Sequence, residues 1–232
     1  MTKYVLSLDG GGVRGLASAN FLRKLEYEMH KPLLEKFDLV CGSSTGGILA
    51  IALSVLKLNG SRLVNIYSSR NLKRIFSSSM PRLVGPKYGG RRKNNVLREY
   101  FGALTLNEAD TPAIAVSYDL KKRSTRLFKT FEDKHLKAWK VASATSAAPT
   151  FFPAVKIEEN WYIDGAISSN NPVLIAYAEA KKLWPDENIK VLSIGTGFGS
   201  KSFKGNSTKK WGIFYWLRGG IIQVLMESNS EH

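Results

Sequence analysis

Three short glycine-framed segments carry the side chains able to do chemistry. They come in this order: Asp9-Gly10-Gly11-Gly12-Val13-Arg14-Gly15, Cys41-Gly42-Ser43-Ser44-Thr45-Gly46-Gly47 and Asp164-Gly165-Ala166. The middle one fits G-x-S-x-G, in which flanking glycines let a strand turn abruptly into a helix and lift a serine hydroxyl above the sheet. Ser44 is the candidate nucleophile, with Gly42 and Gly46 forming its elbow. At the start of the following helix, backbone N–H groups and the helix dipole favour negative charge, such as that of a tetrahedral intermediate.

The first segment fits G-x-G-x-x-G, which admits two uses. A dinucleotide-binding turn expects a carboxylate at the end of the second strand, about 20 residues on. Here Asp38 lies inside or before that strand, and the strand's end is taken by the serine. The other use is an oxyanion hole: residues without Cβ let the N–H groups of Gly10, Gly11 and Gly12 approach a substrate oxygen, with Arg14 adding positive charge beside them.

A serine hydroxyl is a weak nucleophile at neutral pH and needs a base. Only His30, His135 and His232 are available. His30 ends an expected helix, His135 begins one, and His232 is the last residue. A carboxylate acting directly remains. Asp164 follows an apolar approach, Trp161 to Ile163, and precedes Gly165-Ala166, so partial burial should raise its pKa and make it a better proton acceptor. A lone Asp-Gly is ordinarily a turn, and only the company of the other two motifs argues for chemistry here.

These side chains need elements to position them. Tyr4 to Leu8 and Phe37 to Cys41 read as buried strands, Leu16 to Met29 and Gly46 to Leu58 as the helices after them, with Asn59-Gly60 ending the second. Leu63 to Phe76 has helical spacing. Ser77 to Asn95 has no periodicity and is expected to be a loop, either a cover over the site or an ordinary surface excursion. Ala113 to Leu120 and Thr125 to Lys129 read as a strand pair, and His135 to Ala148 as a helix rich in small residues. Trp161 to Ile163 and Lys190 to Ile194 read as strands. Between them Asn170-Asn171-Pro172 starts a helix that Pro185 ends. Strands alternating with helices predict an α/β three-layer sandwich, a central mostly parallel sheet with helices on both faces, mixed where the hairpin joins it.

The 232 residues are expected to form a single domain. One cysteine, Cys41, excludes an internal disulfide, and no Cys/His cluster has zinc spacing, so no metal or cofactor is expected. The apolar tracts Ile48 to Leu56 and Trp211 to Met226 fall short of the roughly 20 residues that span a bilayer. No signal peptide is legible, and a cytoplasmic protein able to associate peripherally with membranes is expected. Thirty-four Lys and Arg against 19 Asp and Glu give a net charge of +15. That charge draws polyanions, but Arg91-Arg92-Lys93, Lys121-Lys122-Arg123 and Lys201 to Lys210 lack interleaved aromatics. An anionic phospholipid surface is the expected partner and nucleic acid is not; a merely solvated basic surface is the other reading.

With these motifs in this order from Tyr4 to about Met226, the chain resembles the patatin-like phospholipases, lipid acyl hydrolases with a Ser-Asp dyad. The resemblance implies Ser44 as nucleophile, Asp164 as proton acceptor, and Gly10 to Gly15 as oxyanion hole with Arg14 its basic member. Ala142 to Pro153, Asn170-Asn171-Pro172 and Gly195-Thr196-Gly197 are also similar to the family. Relatives usually continue beyond a segment similar to Trp211 to Met226, so this chain is expected to be short at its C-terminus. The implied activity is hydrolysis of fatty-acyl esters of glycerophospholipids, of phospholipase A or lysophospholipase type. Acyl transfer through the same dyad and a catalytically silent polyanion- or membrane-binding module are the alternatives.

Overall fold

The computed structural model describes residues 1–77, 85–197, 221 and 224. β1 (Thr2–Leu8) leads through a 3₁₀ turn (Gly12–Arg14) into α1 (Gly15–Met29); the short α2 (Leu33–Lys36) precedes β2 (Leu39–Ser43), which runs into α3 (Thr45–Leu56). Three helices follow, α4 (Gly60–Ile66), α5 (Ser69–Ile75) and α6 (Gly90–Phe101), then the hairpin of β3 (Ala113–Asp119) and β4 (Ser124–Lys129). After these come α7 (Ala138–Thr145), β5 (Val155–Ile157), β6 (Asn160–Asp164), the single-turn α8 (Ala166–Ser169), α9 (Val173–Leu183) and β7 (Asn188–Ile194).

The helices differ from expectation where local hydrogen bonds outweigh pattern. Asn59 does not end a helix but starts one: α3 stops at Leu56 with Lys57 left-handed, and the Asn59 side chain accepts the N–H of Arg62 at 2.9 Å to cap α4. The expected helix over 63–76 is two, because the Ser68 hydroxyl accepts the N–H of Asn71 and begins α5. The expected loop over 77–95 is in part helix. Its residues 78–84 lie outside the described residues, but 90–95 form the first turns of α6, whose buried positions Lys93, Val96, Leu97 and Phe101 follow a helical period. A lysine in that series hid the pattern. β5, three residues long, is too short to show alternation. Trp211 to Met226 and Lys201 to Lys210 fall outside the described stretches, apart from Ile221 and Val224.

The fold is a three-layer α/β sandwich around a mixed sheet. Its centre, β3-β2-β1-β7, is parallel, with Leu8 level with Gly42 on one side and Ile194 on the other. Antiparallel β4, β6 and β5 complete it. One face packs under α3 and α7, with α1, α4 and α6 around them. Ten of the twelve α3 residues are buried, as suits a helix apolar all round. The other face, Val5, Leu39, Cys41, Ile114 and Val116, packs against Ala176 and Ala180 of α9. There the Lys129 ammonium of β4 meets Glu179 of α9 at 2.7 Å, a largely buried pair that ties helix to sheet.

One feature of the pairing sets the site. A strand has two hydrogen-bonding edges, and β4 occupies one edge of β3 over Ile114 to Asp119. β2 and β6 therefore share the other. β2 ends with Ser43 opposite Val116, and β6 takes over at the next residue, with Asp164 opposite Ser117. The two strands abut end to end, so the residue after Ser43 meets Asp164.

Candidate active site

Ser44 sits between β2 and α3 with φ 53° and ψ −120°, a conformation costly for a residue with a Cβ. The turn is tight enough that a methyl on Gly42 would run into the backbone of Gly46, and one on Gly46 into the carbonyls of Leu8 and Asp9. The strain is held by neighbours: the Ser44 N–H donates to Thr145 Oγ1 at 3.1 Å, and the Ser44 carbonyl accepts the N–H of Ile48 at 3.0 Å. The hydroxyl is thereby aimed out of the sheet at the start of α3.

It meets a carboxylate. Ser44 Oγ donates to Asp164 Oδ2 at 2.7 Å, while Asp164 Oδ1 accepts the N–H of Ala166 at 2.9 Å. The Asp164 N–H donates to the Ala147 carbonyl at 3.1 Å, fixing the strand end that carries it. Asp164 is fully buried, which pushes its pKa up to about 6 against the lowering effects of the Ala166 N–H, the Ser44 hydroxyl and the Lys93 charge. A carboxylate so placed is a stronger base than a solvated one.

The glycine loop is less uniform than expected. Gly11, Gly12 and Arg14 line the cavity above Ser44, but Gly10 stands behind them. The Gly10 N–H donates to the Asn170 carbonyl at 2.9 Å and its carbonyl accepts from Thr196 Oγ1 at 2.9 Å, so its amide is engaged and unavailable to a substrate oxygen. This corrects the expectation that all three glycine amides serve alike. Gly10 instead needs to lack a side chain because a Cβ there would strike Asn170 Oδ1. Gly12, with φ +59°, turns the chain so that the loop faces the serine. The Arg14 N–H closes the 3₁₀ turn on the Gly11 carbonyl at 3.1 Å.

The cavity has a volume of about 430 Å³, within the range of small-molecule sites. Ser44 and Asp164 line it together with the polar Lys93, Ser146 and Asn170; Ile48, Leu72, Val96, Leu97, Phe101 and Phe152 make much of the remainder apolar. Neither His30, which caps α1, nor His135, which meets Glu158 at 2.8 Å on the surface, lines it. Among the described residues no group of three His, Cys, Asp or Glu is arranged to hold a metal, and no helix is long and apolar enough to cross a membrane.

Several residues that build the site escaped sequence reasoning. Thr145 was legible only as part of a small-residue run, Thr196 and Asn170 only as motif members. Lys93 read as part of a solvated basic run, yet it is 4% exposed and lines the cavity. No local signal separates it from Arg91 and Arg92, which are exposed.

A three-layer α/β fold with a strained serine elbow, a buried carboxylate at its hydroxyl and an apolar cavity beside them has the makings of a serine-type acyl hydrolase. The chain belongs to the patatin-like phospholipase family, whose model matches residues 6–177, and it is a lipid ester hydrolase. It is 32% identical to patatin-like protein 2 of Oryza sativa subsp. indica over 285 aligned positions, covering 98% of this chain and 70% of the relative. It is 31% identical to a cGAMP-activated phospholipase of Pseudomonas aeruginosa over 248 positions, covering 100% and 74%. Among solved structures, VipD from Legionella pneumophila superposes with a TM-score of 0.56 at 10% identity, over 98% of this chain and 67% of that one, a likeness of fold.

Proposed function

We propose that the protein hydrolyses fatty-acyl esters of glycerophospholipids through a Ser44-Asp164 dyad and an acyl-enzyme. The observation that carries this reading is the 2.7 Å hydrogen bond from Ser44 Oγ to Asp164 Oδ2 in the wall of a largely apolar cavity. Asp164 takes the hydroxyl proton as Ser44 Oγ attacks the ester carbonyl carbon. In this reading the amides of Gly11 and Gly12, which line the cavity with Arg14, stabilise the developing oxyanion. The intermediate collapses with expulsion of the lysolipid alkoxide, which receives the proton from Asp164. Asp164 then takes a proton from water, whose oxygen attacks the acyl-enzyme; Ser44 Oγ leaves with that proton returned from Asp164, releasing the fatty acid and restoring both residues.

The apolar lining suits a fatty chain, and Val13, half-exposed at the cavity, suits contact with a lipid surface. Lys87, beside the rings of Tyr88 and Phe151, adds positive charge near Phe151 of the lining. The test is a mixed phospholipid panel with mass spectrometry of released fatty acids and lysolipids, alongside fluorophosphonate labelling. Ser44→Ala should abolish labelling, and both it and Asp164→Asn should lower hydrolysis by roughly a thousandfold or more while remaining folded. Retained hydrolysis in either folded variant would defeat the reading.

A further inference from the structure

Lys93 is a charged side chain in a place that charge avoids. Its ammonium donates to the Ser143 carbonyl at 2.9 Å, the Ser146 carbonyl at 2.9 Å and the Ser146 hydroxyl at 3.2 Å, which uses all three of its protons. It lies 4.5 Å from the centre of the Phe152 ring. Among the described residues no carboxylate hydrogen-bonds it, and burying a lone ammonium is expensive. Two features of the surroundings offset that cost. Two of the acceptors are carbonyls around the C-terminal end of α7, where the helix carries partial negative charge and leaves carbonyls unpaired. The other is the negative charge of Asp164, the opposite charge acting on it in the interior.

The segment it grips is the one that holds both halves of the dyad. Between Ser143 and Ala147, Thr145 Oγ1 accepts the Ser44 N–H, the Thr145 carbonyl accepts the Gly165 N–H at 3.3 Å, and the Ala147 carbonyl accepts the Asp164 N–H. Asn94, the next residue of α6, also accepts the Ser143 hydroxyl at 2.6 Å. The other charged groups on the helices packed around Lys93 are directed elsewhere. Arg91 and Arg92 of α6 and Arg70 and Lys73 of α5 are exposed, Arg74 pairs with Glu99, and Arg98 of α6 and Lys140 of α7 lie near the Trp139 ring. α3 contributes no charge.

We infer that Lys93 is a positioning residue of the reaction: its buried ammonium clamps the end of α7 against the dyad and supplies the positive charge that keeps Asp164 ionised as a base. This rests on the Ser44-Asp164 reading. Burial alone drives the Asp164 pKa up and the Lys93 charge opposes that rise, while burial drives the Lys93 pKa down to about 7 and Asp164 opposes that fall. Removing the ammonium therefore raises the pH at which Asp164 gives up its proton.

The experiment measures the pH dependence of kcat/KM with 4-nitrophenyl butyrate, and of the fluorophosphonate labelling rate, for the wild type, Lys93→Gln, Lys93→Met, Lys93→Arg and Ser44→Ala. Gln keeps neutral donors for the α7 carbonyls and Arg keeps the charge. The acid limb should move upward by about one pH unit in Gln and Met and stay near the wild-type position in Arg. A uniform loss of rate at every pH with an unmoved limb in Gln or Met would make Lys93 merely structural and overturn the inference. So would neutral variants that fail to fold while Arg folds. Failure of the underlying reading looks different: labelling would persist in Ser44→Ala.

Discussion

Burial decides what Asp164 and Asp9 can do. Both stand at the ends of strands, and desolvation raises the pKa of both, to about 6 for Asp164 and about 7 for Asp9. Asp164 spends its two oxygens on Ser44 and Ala166, whereas Asp9 Oδ1 is buried with no hydrogen-bond partner among the described residues. Because the folded-state value of Asp9 lies above its ordinary 3.8, its favourable contribution is complete below that value and is lost as pH rises through about 7. Asp9→Asn, which removes the ionisation, should therefore raise the thermal midpoint relative to wild type at pH 8 and lose that advantage toward pH 4. Thermal melts across that range check the expectation, and an advantage that grows toward acid would contradict it. The two partners of the Ser44-Asp164 hydrogen bond were legible from residue types: a serine between glycines and an aspartate before one. Lys93 was not, because a basic run reads as solvent-facing and only packing turns one member inward.

The junctions between elements carry the geometry. β2 and α3 are joined by Ser44 alone, and the joint closes because Gly42 and Gly46 let backbone meet backbone. Gly46→Ala should cost about 3 kcal/mol of stability, since the added methyl meets the carbonyls of Leu8 and Asp9, which the sheet holds in place. Urea denaturation measures this, and a near-neutral result would mean that the elbow has slack. The parallel core, β1, β2 and the helices after them, was readable because apolar runs and glycine breaks are local signals. α6 and the split between α4 and α5 were not. Their limits depend on Ser68 capping one helix and on Lys93 being buried along with Val96, Leu97 and Phe101.

Net charge is a property of the whole molecule. A formal +15 on 232 residues creates a field that salt screens over about 10 Å at 0.1 M ionic strength. If substrate is met at a lipid surface, hydrolysis should be faster on vesicles containing anionic lipid than on neutral ones at low salt. The difference should shrink as salt is raised to about 0.5 M. Equal, salt-insensitive rates on the two vesicle types would remove the electrostatic contribution.

Short-range chemistry is written in short segments, which is why Ser44, Asp164 and the glycine loop could be picked out from residue types and spacing. Their meeting is not. It depends on β4 filling one edge of β3, which forces β2 and β6 to share the other and brings residues 120 positions apart within 2.7 Å. The same holds for Gly10, whose amide Asn170 engages, and for Lys93, whose ammonium the end of α7 draws inside. Hydrogen-bond partners and burial are properties of the packed chain, and no local pattern encodes them.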